Sequence, residues 1–130
     1  MKYLLDVNAL IALGLEFHTL HLRVARWIES EPASSYLTCP ITELGFVRVI
    51  AQVSAYGTDV QAAKMLLLRI RNNKTKHIEF VLDGEEIATL PAWAKTPAQT
   101  TDGHLVQLAK SNGAVLATLY KGIPGAYLIP

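Results

Sequence analysis

The sequence predicts an α/β fold in which helices cover both faces of a central parallel sheet. Short apolar runs rich in aromatic and β-branched residues alternate along the chain with longer segments of helical spacing. Strands that alternate with helices indicate βα units, and such units build parallel sheets. A chain of 130 residues has the usual size of one domain, so we expect a single domain over residues 1–130.

Five short apolar runs are the predicted strands, and they cover residues 2–6, 36–38, 77–82, 115–118 and 127–129. Four longer segments carry apolar residues three or four positions apart, and these predicted helices cover residues 19–30, 41–53, 60–70 and 102–111. Asn72-Asn73 and Asn112-Gly113 are helix stop signals after the last two. Residues 91–101 are predicted to be irregular.

Composition narrows the class of protein. Charges interrupt every apolar segment before the roughly 18 to 20 residues that a membrane span requires, and the N-terminus does not resemble a secretory signal, so we expect a cytoplasmic protein without a membrane partner. The single cysteine, Cys39, cannot form an internal disulfide. The net charge is only +1, so a nucleic-acid partner would have to be held by local clusters of charge.

The stretch LLDVN places Asp6 at the end of the first predicted strand. In open parallel sheets, ligands bind beyond the carboxyl ends of the strands, where loops diverge and helix N-termini point inward. Asp6 is therefore a candidate site residue. The alternative is that Asp6 or Asn8 only caps the following helix, because both residue types are favoured caps.

Two further acids begin predicted helices. In TCPITELGF, Pro40 would be the first helical residue, which puts Glu43 one position beyond that of a capping-box glutamate, on a mostly apolar helix. Asp102 in TTDGHLVQLA begins the fourth predicted helix, where the helix dipole by itself also favours an acid.

Carboxylates that converge at one edge of a sheet repel one another unless a cation neutralises them. We therefore expect Asp6, Glu43 and Asp102 to lie around one metal ion. Ligands that are all oxygen favour Mg²⁺ or Mn²⁺, and the four histidines do not form a cluster of the zinc type.

Three blocks together resemble the signature of PIN-domain ribonucleases, specifically the VapC-type toxins of toxin–antitoxin pairs: LLDVNALIAL, TCPITELGFVRVI and TTDGHLVQLAKSNGAVLATLYKGI. Their order and spacing match over nearly the whole chain. The resemblance implies a three-layer α/β/α sandwich, Mg²⁺-dependent cleavage of RNA with Mn²⁺ as a substitute, a cognate antitoxin, and a homodimer. It also implies that Asp6, Glu43 and Asp102 are catalytic, that Asp6 and Asp102 hold the metal, and that Asn8 and Thr118 support them.

The chain departs from this family pattern at position 120. The pattern has Thr or Ser, one spacer and then a fourth Asp after the last major strand, whereas here Thr118 is followed by Leu119 and Tyr120. A phenol titrates near pH 10 and supplies no carboxylate at neutral pH. The resemblance therefore predicts a nuclease that Tyr120 impairs, with a non-catalytic PIN domain that binds its antitoxin as the alternative.

In the implied chemistry, the metal at Asp6 and Asp102 activates the phosphate and a water, and Glu43 orients or deprotonates that water. Arg48, about one turn beyond Glu43, is a candidate for contacting substrate or an antitoxin carboxylate. The basic stretch RIRNNKTKH could bind phosphates, but cations at a helix end are also favoured without any ligand.

Two unrelated functions fit the sequence poorly. A phosphatase of the haloacid dehalogenase type needs a second Asp where this chain has Asn8, and a dinucleotide-binding module needs a glycine-rich turn that DVNAL lacks.

Partner surfaces are the last prediction from sequence. The helical stretches 20–28 and 47–68 carry more apolar residues than one small core needs, so an antitoxin segment or a second copy is expected to cover part of them. Trp27, if exposed, would be a natural anchor.

Overall fold

The protein is described by a computed structural model that covers residues 1–130. Its strands are β1 (Lys2–Leu5), β2 (Ser35–Thr38), β3 (Ile78–Phe80), β4 (Val115–Thr118) and β5 (Tyr127–Leu128). Its α-helices are α1 (Val7–Gly14), α2 (His21–Ser30), α3 (Pro40–Gln52), α4 (Val60–Arg71) and α5 (Thr100–Ser111).

All five strands form one parallel sheet in the order β3-β2-β1-β4-β5. From β1 the chain builds outward through β2 to β3, then crosses back to β4 on the other side of β1. Strand order therefore reverses between β1 and β4, and the loops that leave these two strands diverge. Such a switch point is where open α/β sheets bind their ligands.

Helices cover both faces of the sheet, as the alternation of elements predicted. Tyr3 and Leu5 face the larger core of 18 buried residues, which α1, α2, α3 and α4 complete. Leu4 points to the opposite face, where a smaller core of seven buried residues packs under α5. The predicted three-layer sandwich with a central parallel sheet is confirmed.

The structure also departs from the predicted elements. It adds α1, because the Asp6 carboxylate accepts a hydrogen bond from the Val7 N–H at 2.8 Å and caps a helix that begins directly after β1. β3 is shorter than predicted, and a largely irregular segment follows it up to α5. That segment is tied to α5 by Asp83, whose carboxylate lies 2.6 Å from Nε2 of His104.

Trp27 corrects a prediction about partners. Its side chain is only 3% exposed, and its ring packs edge-on against Tyr3 with 4.8 Å between the ring centroids. Trp27 is therefore a core residue and cannot anchor a partner from the surface. No helix in the structure combines the length and the apolar character that crossing a membrane would require.

Candidate functional site

A cleft of about 350 Å³ opens at the carboxyl ends of β1 and β4, the place where the strand order reverses. Its polar lining includes Asp6, Asn8, His18 and Asp102, and its larger apolar lining includes Val7, Ile11, Leu20, Val49, Tyr56, Leu119 and Tyr120. The cleft lies within the roughly 300–1,000 Å³ that is usual for small-molecule sites. Two of the three predicted carboxylates therefore share one cavity with the altered position 120.

Asp6 is held rigidly in this cleft. Its side chain is buried, at 6% exposure, and its Oδ1 accepts the Val7 N–H at 2.8 Å. Oδ2 accepts the Thr118 hydroxyl at 2.8 Å and the Asn8 amide at 3.3 Å. The capping interpretation and the site interpretation of Asp6 are thus compatible, because the same carboxylate caps α1 and faces the cleft.

Asn8 and Thr118 join α1 to the end of β4. The Asn8 amide nitrogen donates to Thr118 Oγ1 at 3.1 Å, and the Asn8 carbonyl oxygen accepts the Leu119 N–H at 3.0 Å. Thr118 Oγ1 also accepts the Tyr120 N–H at 3.1 Å. These bonds connect the predicted supporting residues directly to Asp6 and to the backbone of position 120.

Burial and charge shift the ionisation of both acids of the cleft. Burial raises the pKa of Asp6, and the negative charge of Asp102 adds to that rise, while hydrogen bonds from Thr118, Val7 and Asn8 oppose it. Burial also raises the pKa of Asp102. A divalent cation bound between these carboxylates would relieve both the repulsion and the cost of burial. Because the donors are oxygens, their chemistry fits Mg²⁺.

Glu43 does not share this cleft. Its Oε2 accepts the Thr38 hydroxyl at 2.6 Å and lies 3.4 Å from an Arg71 nitrogen, and the residue lines a separate groove between α3 and α4. The structure holds no group of three His, Cys, Asp or Glu side chains arranged to bind a metal ion. The structure thus brings Asp6 and Asp102 to one cleft and gives Glu43 other partners, because α3 begins after β2 and packs against α4.

The remaining predicted residues occupy different places. Tyr120 lines the cleft and is 66% exposed, whereas Arg48 is exposed on α3 and is not among the cleft-lining residues. The sequence pattern did not single out His18 and Tyr56 as cleft residues or Arg71 as the partner of Glu43. His18 and Tyr56 lie outside the α-helices and strands, so apolar periodicity gives no information about them. Arg71 belongs to the basic stretch, where cations are favoured at a helix end without any ligand.

Comparison with known proteins gives sequence relatives but no match to any protein-family model. The chain is 34% identical over 137 residues to the ribonuclease VapC44 of Mycobacterium tuberculosis, covering 97% of this chain and 94% of the relative. It is 32% identical over 125 residues to the ribonuclease VapC38 of the same organism, covering 92% of this chain and 86% of the relative. VapC29 of that organism is 33% identical over 124 residues, with 95% and 89% covered.

Solved structures share the fold at low sequence identity. VapBC2 from Rickettsia felis, solved bound to a DNA fragment from its promoter, aligns with a TM-score of 0.66 at 13% identity and covers 98% of this chain and 97% of the solved chain. The sarcin-ricin loop cleaving toxin VapC20 of Mycobacterium tuberculosis aligns with a TM-score of 0.62 at 13% identity, with 92% and 89% covered. These structures support the fold, and the sequence relatives establish the family. The chain belongs to the VapC family of ribonucleases.

Proposed function

We propose that the protein is a toxin endoribonuclease that hydrolyses RNA phosphodiesters with a Mg²⁺ ion held by Asp6 and Asp102. The observation that carries this proposal is the buried Asp6 carboxylate, whose pKa is raised partly by the charge of Asp102 in the same cleft. Two carboxylates at the switch point of a parallel sheet supply the oxygen ligands that such a cation would need, which supports the proposal. Mn²⁺ can substitute, because it accepts the same donors.

When bound, Mg²⁺ polarises the scissile phosphate and lowers the pKa of an attacking water. Residues of the chain position the metal ligands and the attacking water. Thr118 and Asn8 hold the Asp6 carboxylate in one rotamer through the bonds described above. Glu43, which Thr38 at the end of β2 holds through a hydrogen bond, would orient or deprotonate the water.

A second part of the proposal concerns Tyr120. The phenol occupies the position of a fourth acid, so the site holds its cation with one carboxylate fewer and the chain cleaves RNA slowly. The alternative function, a non-catalytic domain that binds an antitoxin and RNA without cleavage, rests on the same observation. RNA cleavage is measured in the presence of Mn²⁺ for the unchanged chain and for Tyr120→Asp. Slow cleavage by the unchanged chain supports the impaired nuclease, whereas the non-catalytic domain is expected to cleave no RNA.

The groove between α3 and α4 is the proposed antitoxin surface. It is lined by Pro40, Glu43, Leu44, Val47, Val60, Lys64, Leu67, Leu68 and Phe80, and Leu44, Val60 and Leu68 are exposed. An exposed apolar strip with one acid and one lysine suits an amphipathic segment of a partner protein. We propose that a cognate antitoxin binds here and that the toxin forms a homodimer through another surface.

The test measures Mg²⁺ affinity by calorimetry and cleavage of total cellular RNA in parallel. Asp102→Asn is expected to lose both, and Glu43→Gln to keep most of the Mg²⁺ affinity while losing cleavage. Asp59→Asn is the matched control, because Asp59 caps α4 away from the cleft and Asn also caps helices. Undiminished Mg²⁺ binding by Asp102→Asn would disprove the proposed metal site.

A further inference from the structure

Asp102, unlike Asp6, has no hydrogen bond that orients its carboxylate. Three hydrogen bonds hold the Asp6 carboxylate, whereas that of Asp102 accepts none from the rest of the chain. The place of this proposed metal ligand therefore depends on where the first turn of α5 lies. Contacts that hold this turn also fix the geometry of the cation site.

The segment before α5 packs against that turn. This segment, the strap (residues 83–99), consists of two 3-10 turns and irregular chain. Gly103, the residue after Asp102, is buried beneath the strap: a Cβ at position 103 would fall 2.8 Å from Ala94 Cβ. The strap comes this close to α5 because position 103 has no side chain.

A hydrogen-bonded pair fixes the strap to α5 one residue further along. Asp83 Oδ2 lies 2.6 Å from His104 Nε2, and the two side chains are 14% and 21% exposed, so water competes weakly for this bond. Asp83 Oδ1 accepts the Glu85 N–H at 3.1 Å, which restrains the carboxylate. Residues 103 and 104 lie about 100° and 200° around the helix from Asp102. The strap therefore contacts the sides of α5 that are turned away from the proposed metal ligand.

The strap has a second attachment at the far end of the same helix. Glu85 accepts a hydrogen bond from the hydroxyl of Ser111, the last residue of α5. Ser111 is about 13.5 Å along the helix from Asp102, at about 1.5 Å per residue. One attachment of the strap is therefore next to the proposed metal ligand and the other is distant from it.

We propose that the Asp83–His104 bond positions Asp102 to bind the metal ion, so that both members of the pair are positioning residues of the nuclease. This rests on the proposed function in taking Asp102 as a ligand of Mg²⁺. A binding constellation must be held within about 0.5 Å of its productive geometry. Without the bond, the first turn of α5 is free to shift, and Mg²⁺ must order that turn as it binds, which weakens its affinity.

Mg²⁺ affinity of the full chain, measured by calorimetry, tests the inference. Asp83→Ala removes the bond and is expected to weaken Mg²⁺ binding by about 10-fold, the lower end of the range for residues that support metal ligands. Ser111→Ala detaches the strap at its far end and should bind Mg²⁺ within about two-fold of the unchanged chain, because distant sites act independently. Asp83→Asn removes the charge but still hydrogen-bonds Nε2 in either tautomer of the ring, so it should also stay within about two-fold.

A second variant and a second readout support the comparison. His104→Phe breaks the same bond from α5 while keeping the negative charge of Asp83, and it is expected to lose as much Mg²⁺ affinity as Asp83→Ala. In the metal-free proteins, both variants should show faster hydrogen exchange in the first turns of α5, whereas Ser111→Ala should not. Thermal melting checks that each variant folds, and either of the two suffices for the comparison.

Two outcomes would overturn the inference. Equal Mg²⁺ affinity of Asp83→Ala and Ser111→Ala would mean that the strap contributes only to stability. An equal loss in Asp83→Asn and Asp83→Ala would mean that the charge of Asp83, and not its bond to His104, supports the metal ion.

Failure of the proposed function gives a different pattern. If Asp102→Asn binds Mg²⁺ as tightly as the unchanged chain, the metal site itself is refuted, and the inference with it. If Asp102→Asn loses Mg²⁺ binding while Asp83→Ala and His104→Phe keep it, the metal site stands and the positioning role of the strap is refuted.

Discussion

At the scale of single residues, Asp6 combines a structural role with a proposed chemical one. An ionised carboxylate has about four lone-pair sites, and three hydrogen bonds to Asp6 use three of them. Oδ1 accepts only the Val7 N–H, so the unused lone pair, which the proposed cation would take, lies on that oxygen. The same bonds that orient Asp6 also stabilise the first turn of α1, because its cap satisfies a free backbone N–H.

Tyr120→Asp is predicted to increase both Mg²⁺ affinity and RNA cleavage. An added carboxylate raises the negative charge of the cleft, and loss of the ring makes room for a hydrated ion. Groups that stabilise the transition state at one contact are commonly worth about 10²- to 10³-fold in rate, so the gain in cleavage at saturating RNA should be easy to measure. Equal affinity and equal cleavage in the two proteins would mean that position 120 is not part of the metal site.

Asp102→Asn is predicted to raise the melting temperature slightly at pH 7 in a chelator and to abolish stabilisation by Mg²⁺. Burial raises the pKa of Asp102, so its contribution to stability is fully present below the unfolded pKa of about 3.9 and is lost as pH rises through the higher folded value. Asn carries no charge at any pH, so the difference between the two proteins should vanish in acid.

The measurement for Asp102→Asn is thermal unfolding from acidic to neutral pH, with and without Mg²⁺. For the unchanged chain, Mg²⁺ at about 100 times its dissociation constant would add roughly 2.7 kcal/mol. Asp59→Asn should respond to Mg²⁺ as the unchanged chain does. If Mg²⁺ still stabilised Asp102→Asn fully, Asp102 would not be a ligand of the metal ion.

At the scale of elements, close packing of α1 against α3 sets the rear of the cleft. Gly45 of α3 lies directly against Val7, the residue after Asp6: a Cβ at position 45 would fall 2.6 Å from Val7 Cγ2. The helices come this near because position 45 has no side chain. The first turn of α1, and with it the Asp6 carboxylate, is therefore placed partly by a glycine on another helix.

Gly45→Ala is predicted to destabilise the fold by about 1–3 kcal/mol, the usual cost of overpacking a tight interior. The sign of the stability change is informative, because replacing Gly by Ala inside a helix is otherwise stabilising by roughly 0.5–1 kcal/mol. Denaturant unfolding measures the change, with Gly84→Ala as control, since a Cβ at position 84 meets no atom within 4 Å. Equal stability of both variants would show that α1 shifts freely to accommodate a methyl group.

At the scale of the whole molecule, the proposed RNA cleft and the proposed antitoxin groove lie at different places on the surface, but both border α3. Val49 lines the cleft, whereas Leu44 and Val47 line the groove, and Glu43 lies on the groove side with Arg71. A partner seated in the groove would therefore contact the residue proposed to complete the active site.

Leu44→Glu is predicted to abolish co-purification with the cognate antitoxin while leaving the fold intact. Leu44 is 70% exposed, so a charge there costs little in the free protein but would be buried without a partner in the complex. A loss of affinity of at least about 10-fold is expected for a central apolar contact. Ile87→Glu, at a residue that is 78% exposed and lies outside the groove and both expected partner stretches, is the control that should leave the complex unchanged. Loss of the complex in both variants, or in neither, would refute the groove as the antitoxin site.

Local pattern determined most of the elements and how they alternate, although α1 was not among the predicted helices. Residues 115–118 were predicted as a strand and form β4, and the helix predicted over 41–53 differs from α3 by one residue at each end. Apolar periodicity, Pro40 and the Asn-Gly stop act over a few residues, so the sequence alone carries them. The family resemblance also depends on short blocks in order, and the sequence relatives confirm it.

Only the tertiary structure decided which side chains meet. Asp6 reaches Thr118 across the junction of β1 and β4 because the sheet order puts those strands side by side, although 112 positions separate the two residues. Glu43 instead meets Arg71, 28 positions later, because α3 and α4 pack against each other. His18 and Tyr56 join the cleft from outside the α-helices and strands. Such pairings follow from strand order and helix packing over the whole chain, and local periodicity contains no information about either.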